Sequence, residues 1–335
     1  MLPNRILTPK DYMQIAVQVG MENLGKTGTN PSVGAVIVQG NLVATGVTNI
    51  GGTPHAEVNT IANAKKLGIN LGESTLFVTL EPCSHYGKTP PCAKAIVEEK
   101  IPNVFFGFSD PDHRVNGNGV KFLRENGVNV EFLPIYEVKK LHESYSTFKV
   151  KNRPFVSLKI ASSLDGKIAL ANGESKWITN ESARRYTNFL RSKFDGVLVG
   201  ANTVRVDYPK LDCRIEGLEI FSPKKFVASR NIASTNEIDG FINVHGSIEE
   251  ILFQIKENGV QNLLIEGGAN LITQFLKANL FDELILVQAP IFLGNDSKNA
   301  VESLELNQFP PINFFLKHQK DFDGNLIRVF SNVSS

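Results

Sequence analysis

The chain has 335 residues, of which 42% are hydrophobic, and its 35 basic and 34 acidic side chains leave a net charge of +1. That length and apolar content fit two ordinary globular domains and exclude a disordered chain. The even charge balance gives no bulk field to gather nucleic acid or anionic lipid, so neither is expected as a partner.

Thr8-Pro9-Lys10-Asp11 reads as a helix N-cap with proline at the first helical position, and Tyr12, Ile15, Ala16 and Val19 then share one face. No signal peptide is expected, because residues Met1 to Gly25 lack the charged-then-apolar order of one. The stretch from Thr27 to Pro54 is uncharged, but its glycines, asparagines and threonines exclude a membrane span. Gly34 to Val38 and Leu42 to Thr45 predict a hairpin around Gly40-Asn41. Ala56 to Lys66 carries Val58, Ile61 and Ala62 at helical spacing, and Thr75 to Leu80 is an apolar strand. Then come a helix from Cys92 to Lys100, a strand from Val104 to Phe108, a helix from Val120 to Asn126 and a strand from Val128 to Phe132.

Lys149, Lys151 and Arg153 precede Pro154, which cannot continue a helix, and put a boundary near Tyr145 to Arg153. The expected domains are residues 1–147 and 148–335. In the second, strands are expected at Phe155–Ile160, Val197–Val199, Lys225–Val227, Leu263–Ile265 and Leu284–Val287. Helices are expected at Glu181–Lys193, Ile248–Asn258 and Ala269–Leu276, and a terminal hairpin turns at Asp323-Gly324-Asn325. Alternating strands and helices predict an α/β protein in both halves.

Chemistry concentrates in His55-Ala56-Glu57, Pro82-Cys83 and Pro91-Cys92. One imidazole and two thiolates are a tetrahedral zinc set with one position open, where a water is activated near neutral pH. Glu57 is the carboxylate placed to shuttle a proton, which is the arrangement of zinc-dependent nucleobase deaminases. Eight residues separate the two cysteines where the general signature has two, and that excursion carries His85 and Lys88. A cationic loop beside the metal suits a phosphate-bearing substrate. The bland alternative is a structural zinc closed by His85, which leaves Glu57 without a purpose. Two thiols bound to metal leave Cys213 alone, and a reducing cytoplasm suits all three.

Thr29-Asn30-Pro31-Ser32-Val33-Gly34, Pro54-His55-Ala56-Glu57, Thr79-Leu80-Glu81-Pro82-Cys83-Ser84-His85 and Gly87-Lys88-Thr89-Pro90-Pro91-Cys92 occur in this order. Together they resemble the deaminase half of the bifunctional riboflavin-biosynthesis deaminase–reductases. The resemblance implies a cytidine-deaminase-like first domain that removes the ring 2-amino group of a phosphoribosylamino-pyrimidinone. It places Asn30, His85 and Lys88 at that substrate. Ser162-Ser163-Leu164-Asp165-Gly166-Lys167, Gly173 to Thr179 and Gly200-Ala201-Asn202-Thr203-Val204 resemble the reductase half, as do the set Asp207, Pro209, Leu211, Arg214 and the turn Glu266-Gly267-Gly268. These imply a dihydrofolate-reductase-like second domain that uses NADPH to convert the ribosyl group to ribityl. By resemblance, Ser162, Trp177, Thr203, Asp207, Gly267 and Gly268 line the cofactor site. Ser175, Arg191, Leu211, Arg214 and Glu266 face the substrate, with Arg191 and Arg214 able to clamp its phosphate. For Arg191 the rival reading is a solvated helix face, and for Trp177 it is core packing.

Ser229-Arg230 is the candidate for the extra phosphate of NADPH, with an exposed turn as its rival. Tyr208 and Asn118 depart from the family pattern at positions where an acidic or amide residue and a basic residue are usual. A homo-oligomer is expected. Two other functional readings stand beside the bifunctional enzyme: a deaminase with a non-catalytic second domain, and a structural zinc protein that acts as a binding module.

Overall fold

The computed structural model describes residues 7–86, 90–112, 117–229, 240–305 and 312–333. The chain divides into two compact units, Met1–Asn152 and Arg153–Ser335.

Unit 1 opens with α1 (Pro9–Met21), whose Thr8 cap and Asp11 close a reciprocal capping box. The hairpin β1 (Gly34–Gln39) and β2 (Leu42–Val47) follows, then α2 (Ala56–Lys66) and β3 (Thr75–Val78). After these come α3 (Cys92–Glu98), β4 (Asn103–Phe106), α4 (Asn118–Glu125) and β5 (Asn129–Phe132). The sheet order is β2-β1-β3-β4-β5, antiparallel through β3 and parallel beyond it. Strand side chains alternate faces, so Ala35, Ile37, Leu76 and Val78 join the core under α2 and α3. Val36 and Phe77 point the other way, to Met13, Ala16 and Val17 of α1. That side packs tightly: a Cβ on Gly34 would stand 1.9 Å from the Ala16 carbonyl oxygen, so only glycine fits there. Two further helices, α5 (Tyr136–Leu141) and α6 (Glu143–Val150), occupy the stretch read from sequence as the approach to a boundary.

His142, between α5 and α6, is 1% exposed; its ring stacks on Phe108 and its Nε2 hydrogen-bonds Thr79 Oγ1 at 3.0 Å. Its Nδ1 is buried with no partner. Burial lowers its pKa from 6.5 to about 3, so between those values the unfolded chain holds a proton that the folded one refuses. Stability therefore falls as pH drops below 6.5, and from pH 7 to 5 the loss should reach about 2 kcal/mol. Hydrogen exchange of the β1 and β3 amides should show that loss in the parent and much less of it in His142→Gln.

Unit 2 contains β6 (Phe155–Ser162), β7 (Lys167–Ala169), α7 (Glu181–Arg191), β8 (Gly196–Gly200), α8 (Ala201–Asp207) and β9 (Lys224–Ala228). It continues with β10 (Ile242–Val244), α9 (Ile248–Glu257), β11 (Asn262–Ile265), α10 (Ala269–Ala278) and β12 (Glu283–Gln288). The short β13 (Lys298–Asn299) pairs with β7, and β14 (Phe314–Phe322) and β15 (Asn325–Asn332) form the final hairpin. The large sheet runs β10-β9-β8-β11-β6-β12-β15-β14, parallel as far as β12 and antiparallel after it. Leu263 and Ile265 face α9 and α10 on one side, and Leu264 packs with Val197 and Val199 on the other. Burying Leu271, Ile272, Phe275 and Leu276 holds α10 down at roughly 1.5–3 kcal/mol per side chain.

Candidate active sites

In unit 1 the metal-ligand motifs converge at two helix starts. His55 is the N-cap of α2, and Cys92 is the first residue of α3, after Pro91. Cys83 follows β3 on the connecting loop, and its Sγ accepts the Cys92 N–H at 3.4 Å. His55 Nδ1 lies 3.3 Å from Cys92 Sγ and 3.6 Å from Cys83 Sγ, and the three donor atoms all fall within 4.8 Å of one another. With Zn–N and Zn–S bonds of about 2.0 and 2.3 Å, a tetrahedral N···S edge is about 3.5 Å, so the triangle fits zinc as it stands. His85 is not part of this cluster.

These donors already share charge. The Cys92 thiol donates to Cys83, which is drawn down to about 4, and Cys92 is pushed up in consequence. His55 beside the Cys83 thiolate rises to about 9. Glu57, 4% exposed, sits in the first turn of α2. Without a metal, burial first and then the Cys83 thiolate push its carboxyl up to about 7.

Asn30 donates from Nδ2 to the Gly52 carbonyl at 3.0 Å and so anchors the loop leading to His55. His85 has its Nδ1 buried without a hydrogen-bond partner. Lys88 lies outside the described residues, as does Arg230.

Unit 2 holds a cavity of about 1390 Å³ at the carboxyl ends of its parallel strands, where open α/β sheets bind ligands. Its walls include Trp177, Thr203, Asp207, Gly267 and Gly268 of the expected cofactor set, and Ser175, Arg191, Arg214 and Glu266 of the expected substrate set. Ser162 and Leu211 are buried, 1% and 5% exposed, and are not among the lining residues. Trp177 is 68% exposed, so it is a cavity wall and not core, with the Arg184 guanidinium stacked 4.3 Å from its ring centre. Helix α10 has Gly268 as its N-cap and no side-chain cap, which leaves backbone N–H groups for an anion such as a pyrophosphate. A Cβ on Gly268 would come to 3.8 Å from Thr203 Oγ1, a measure of how close these two walls approach. A cavity of this size, with such a helix start, fits a dinucleotide with room for a second ligand.

Arg191, expected to face the substrate, lines the cavity with its guanidinium already engaged by protein. Its Nε and Nη2 donate to both oxygens of Glu266 at 2.6 and 3.0 Å, and Nη1 donates to Asn188 and the Asp212 carbonyl. Its bidentate edge is therefore spent on protein. The reading as a solvated helix face fails as well, since the side chain is 12% exposed. Lys159, which the motif reading passed over, pairs with the same carboxylate at 3.4 Å and lines the cavity. A signal for it was present: a lysine between Leu158 and Ile160, the one charged residue of the strand.

Comparison with known proteins decides the family. The model for the cytidine and deoxycytidylate deaminase zinc-binding region matches residues 8–108, and the model for the RibD C-terminal domain matches residues 154–327. The riboflavin biosynthesis protein RibD of Aquifex aeolicus is 35% identical, over 85% of this chain and 88% of its own length. The chain belongs to the RibD family. Among solved structures, RibD of Acinetobacter baumannii superposes with a TM-score of 0.87 at 31% identity, covering 97% of this chain and 99% of that one. A diaminohydroxyphosphoribosylaminopyrimidine deaminase/5-amino-6-(5-phosphoribosylamino)uracil reductase from Thermotoga maritima gives 0.87 at 32% identity, with 97% and 98% covered. The chain is thus an enzyme of riboflavin biosynthesis with two activities, a zinc-dependent deaminase and an NADPH-dependent reductase, and not a deaminase carrying an idle second domain. No helix among the described residues is long and apolar enough to cross a membrane.

Proposed function

We propose that residues 1–147 hydrolyse the 2-amino group from 2,5-diamino-6-(5-phosphoribosylamino)pyrimidin-4-one and that residues 148–335 then reduce the ribosyl group of the product to ribityl. The observation that carries the first step is the His55–Cys83–Cys92 triangle with the buried, unspent Glu57 beside it. Zinc held by these three residues would supply a Lewis acid that activates water near neutral pH. Glu57 takes a proton from the attacking water and delivers it to the departing amine, a task that its buried place beside the three donors suits. Asn30 orients the approach to His55, and His85 and Lys88 are the candidates for binding the substrate's phosphoribosyl end.

In the reductase half, NADPH supplies the hydride. The chain's part is to hold the nicotinamide and the opened sugar in contact. Trp177, Thr203, Asp207 and the Gly267-Gly268 turn are the cofactor walls in this reading, with Ser162 supporting them from its buried position. Ser175, Glu266 and Arg214 face the substrate, and Leu211 shapes the segment that carries Arg214. Arg191, paired with Glu266, and Arg214 both line the cavity and stay the candidates for the substrate's phosphate, with Lys159 beside them. Arg230 stays the candidate for the extra phosphate of NADPH. The enzyme is placed in the cytoplasm as a homo-oligomer. The unpaired cysteines support the first point, and the edge strand β14 with exposed Phe315 and Leu316 supports the second.

The order of the two steps has a direct test. Fed the undeaminated nucleotide, the enzyme should oxidise NADPH only while zinc is bound; fed the deaminated nucleotide, it should do so with or without a chelator. Undiminished oxidation of the first substrate after zinc removal would reverse the proposed order.

A further inference from the structure

Glu81 stands two residues before Cys83 and takes no part in the chemistry above, yet it is 3% exposed. Its Oε2 accepts the N–H of Gly117 at 3.1 Å, and its Oε1 accepts those of Gly119 at 3.2 Å and Val120 at 3.4 Å. These are donors from the N-cap and first turn of α4, a region where a carboxylate also answers the helix dipole. A second contact locks the same pair of segments. A Cβ on Gly119 would lie 1.9 Å from the Pro82 carbonyl oxygen, so α4 presses its backbone directly against the residue preceding the ligand. The segment is tied elsewhere too: Glu81 N–H donates to the Phe108 carbonyl at 2.9 Å, and the Cys83 carbonyl accepts Ala93 N–H of α3 at 3.1 Å.

We infer that Glu81 is a positioning residue of the metal centre: its carboxylate docks the start of α4 onto the Glu81–Cys83 segment and thereby sets where Cys83 Sγ stands relative to His55 and Cys92. Nothing else in the segment can do this with a side chain, because Pro82 has no side-chain acceptor and the Cys83 thiolate is needed by the metal. A carboxylate accepts several N–H groups at once, whereas a glutamine has a single oxygen to offer and would turn an NH2 group toward one of those donors.

The inference rests on the zinc reading of the site, and its test uses zinc affinity alongside activity. Full-length Glu81→Ala, Glu81→Gln and Gly119→Ala are titrated against a chromophoric zinc chelator. Deamination kcat and KM are followed, and the reductase half reports integrity of the rest of the chain. Glu81→Ala and Gly119→Ala should bind zinc ~10–100-fold more weakly, the scale found when ligand-orienting groups are removed. Glu81→Gln should fall between them and the parent. Deamination kcat should recover with excess zinc, KM should change little, and reductase activity should hold. The inference is overturned if Glu81→Ala binds zinc within twofold of the parent, even with a lowered melting temperature, since the residue then only stabilises. Should Glu81→Ala not fold, parental zinc affinity in both Glu81→Gln and Gly119→Ala overturns it equally. A parent chain without zinc would instead remove the reading of the site itself.

Discussion

Glu57→Gln should abolish deamination while leaving zinc content and NADPH oxidation on the deaminated nucleotide near the parent values. The substitution keeps size and burial and removes only the ability to take and return a proton. Loss of a general acid–base group costs at least ~10²-fold in kcat. Glu57 is held for this by its surroundings: 4% exposed, beside a thiolate and at the start of the helix that also carries His55. Zinc content should not follow activity down, because the three donors of the metal triangle do not include Glu57. Deamination by the variant at close to the parent rate would sink the assignment and revive a structural zinc with no catalytic duty.

Glu266→Gln should do the converse, silencing the reductase and sparing the deaminase. Glu266 is the one carboxylate between Lys159 and Arg191, with all three side chains less than one-fifth exposed. Burial alone would raise its pKa, but the two cations overcome that and hold it at about 2. Its folded value lies below the unfolded one, so its stabilisation is full above about 4.5 and is lost as pH falls toward 2. Replacing it leaves two buried cations uncompensated, a change that typically costs 3–5 kcal/mol, roughly. The cavity floor would shift with them, and ~1 Å of misplacement in a hydride-transfer site costs on the order of 10²-fold in rate. The measurement is NADPH oxidation on the deaminated nucleotide, with urea unfolding of unit 2 followed in parallel. Parental activity and stability together would show that the triad carries neither duty.

Much of this enzyme was legible in the residue order. Local signals carry local structure: the Thr8-Pro9 cap starts α1 where read, Gly40-Asn41 turns the first hairpin, and Ala56 to Lys66 is helical as its spacing demands. The short helices α5 and α6 escaped notice because α6 buries only Tyr145 and Thr147, too narrow a stripe to show a helical period among its charges. The metal triad was legible for a different reason. Thiolate and imidazole donors flanked by prolines have few other uses, so residue type alone declares them.

Pairings across the sheet were not legible. Lys159, Arg191 and Glu266 meet because β11 lies beside β6 in the large sheet, although 107 residues separate Lys159 from Glu266 and 75 separate Arg191 from it. Sequence marked Arg191 as a phosphate ligand from its type and motif, but only the fold shows that a buried carboxylate has already taken its fork. Glu81 is a similar case, since its partners are backbone N–H groups 36 to 39 residues away that carry no residue-type signal at all. Residue order by itself determined which chemistries the chain holds, because ligand and acid–base types are chemically distinctive. Tertiary structure decided which charges are free to act, because burial and pairing depend on strand order and helix packing, and no local window of sequence contains either.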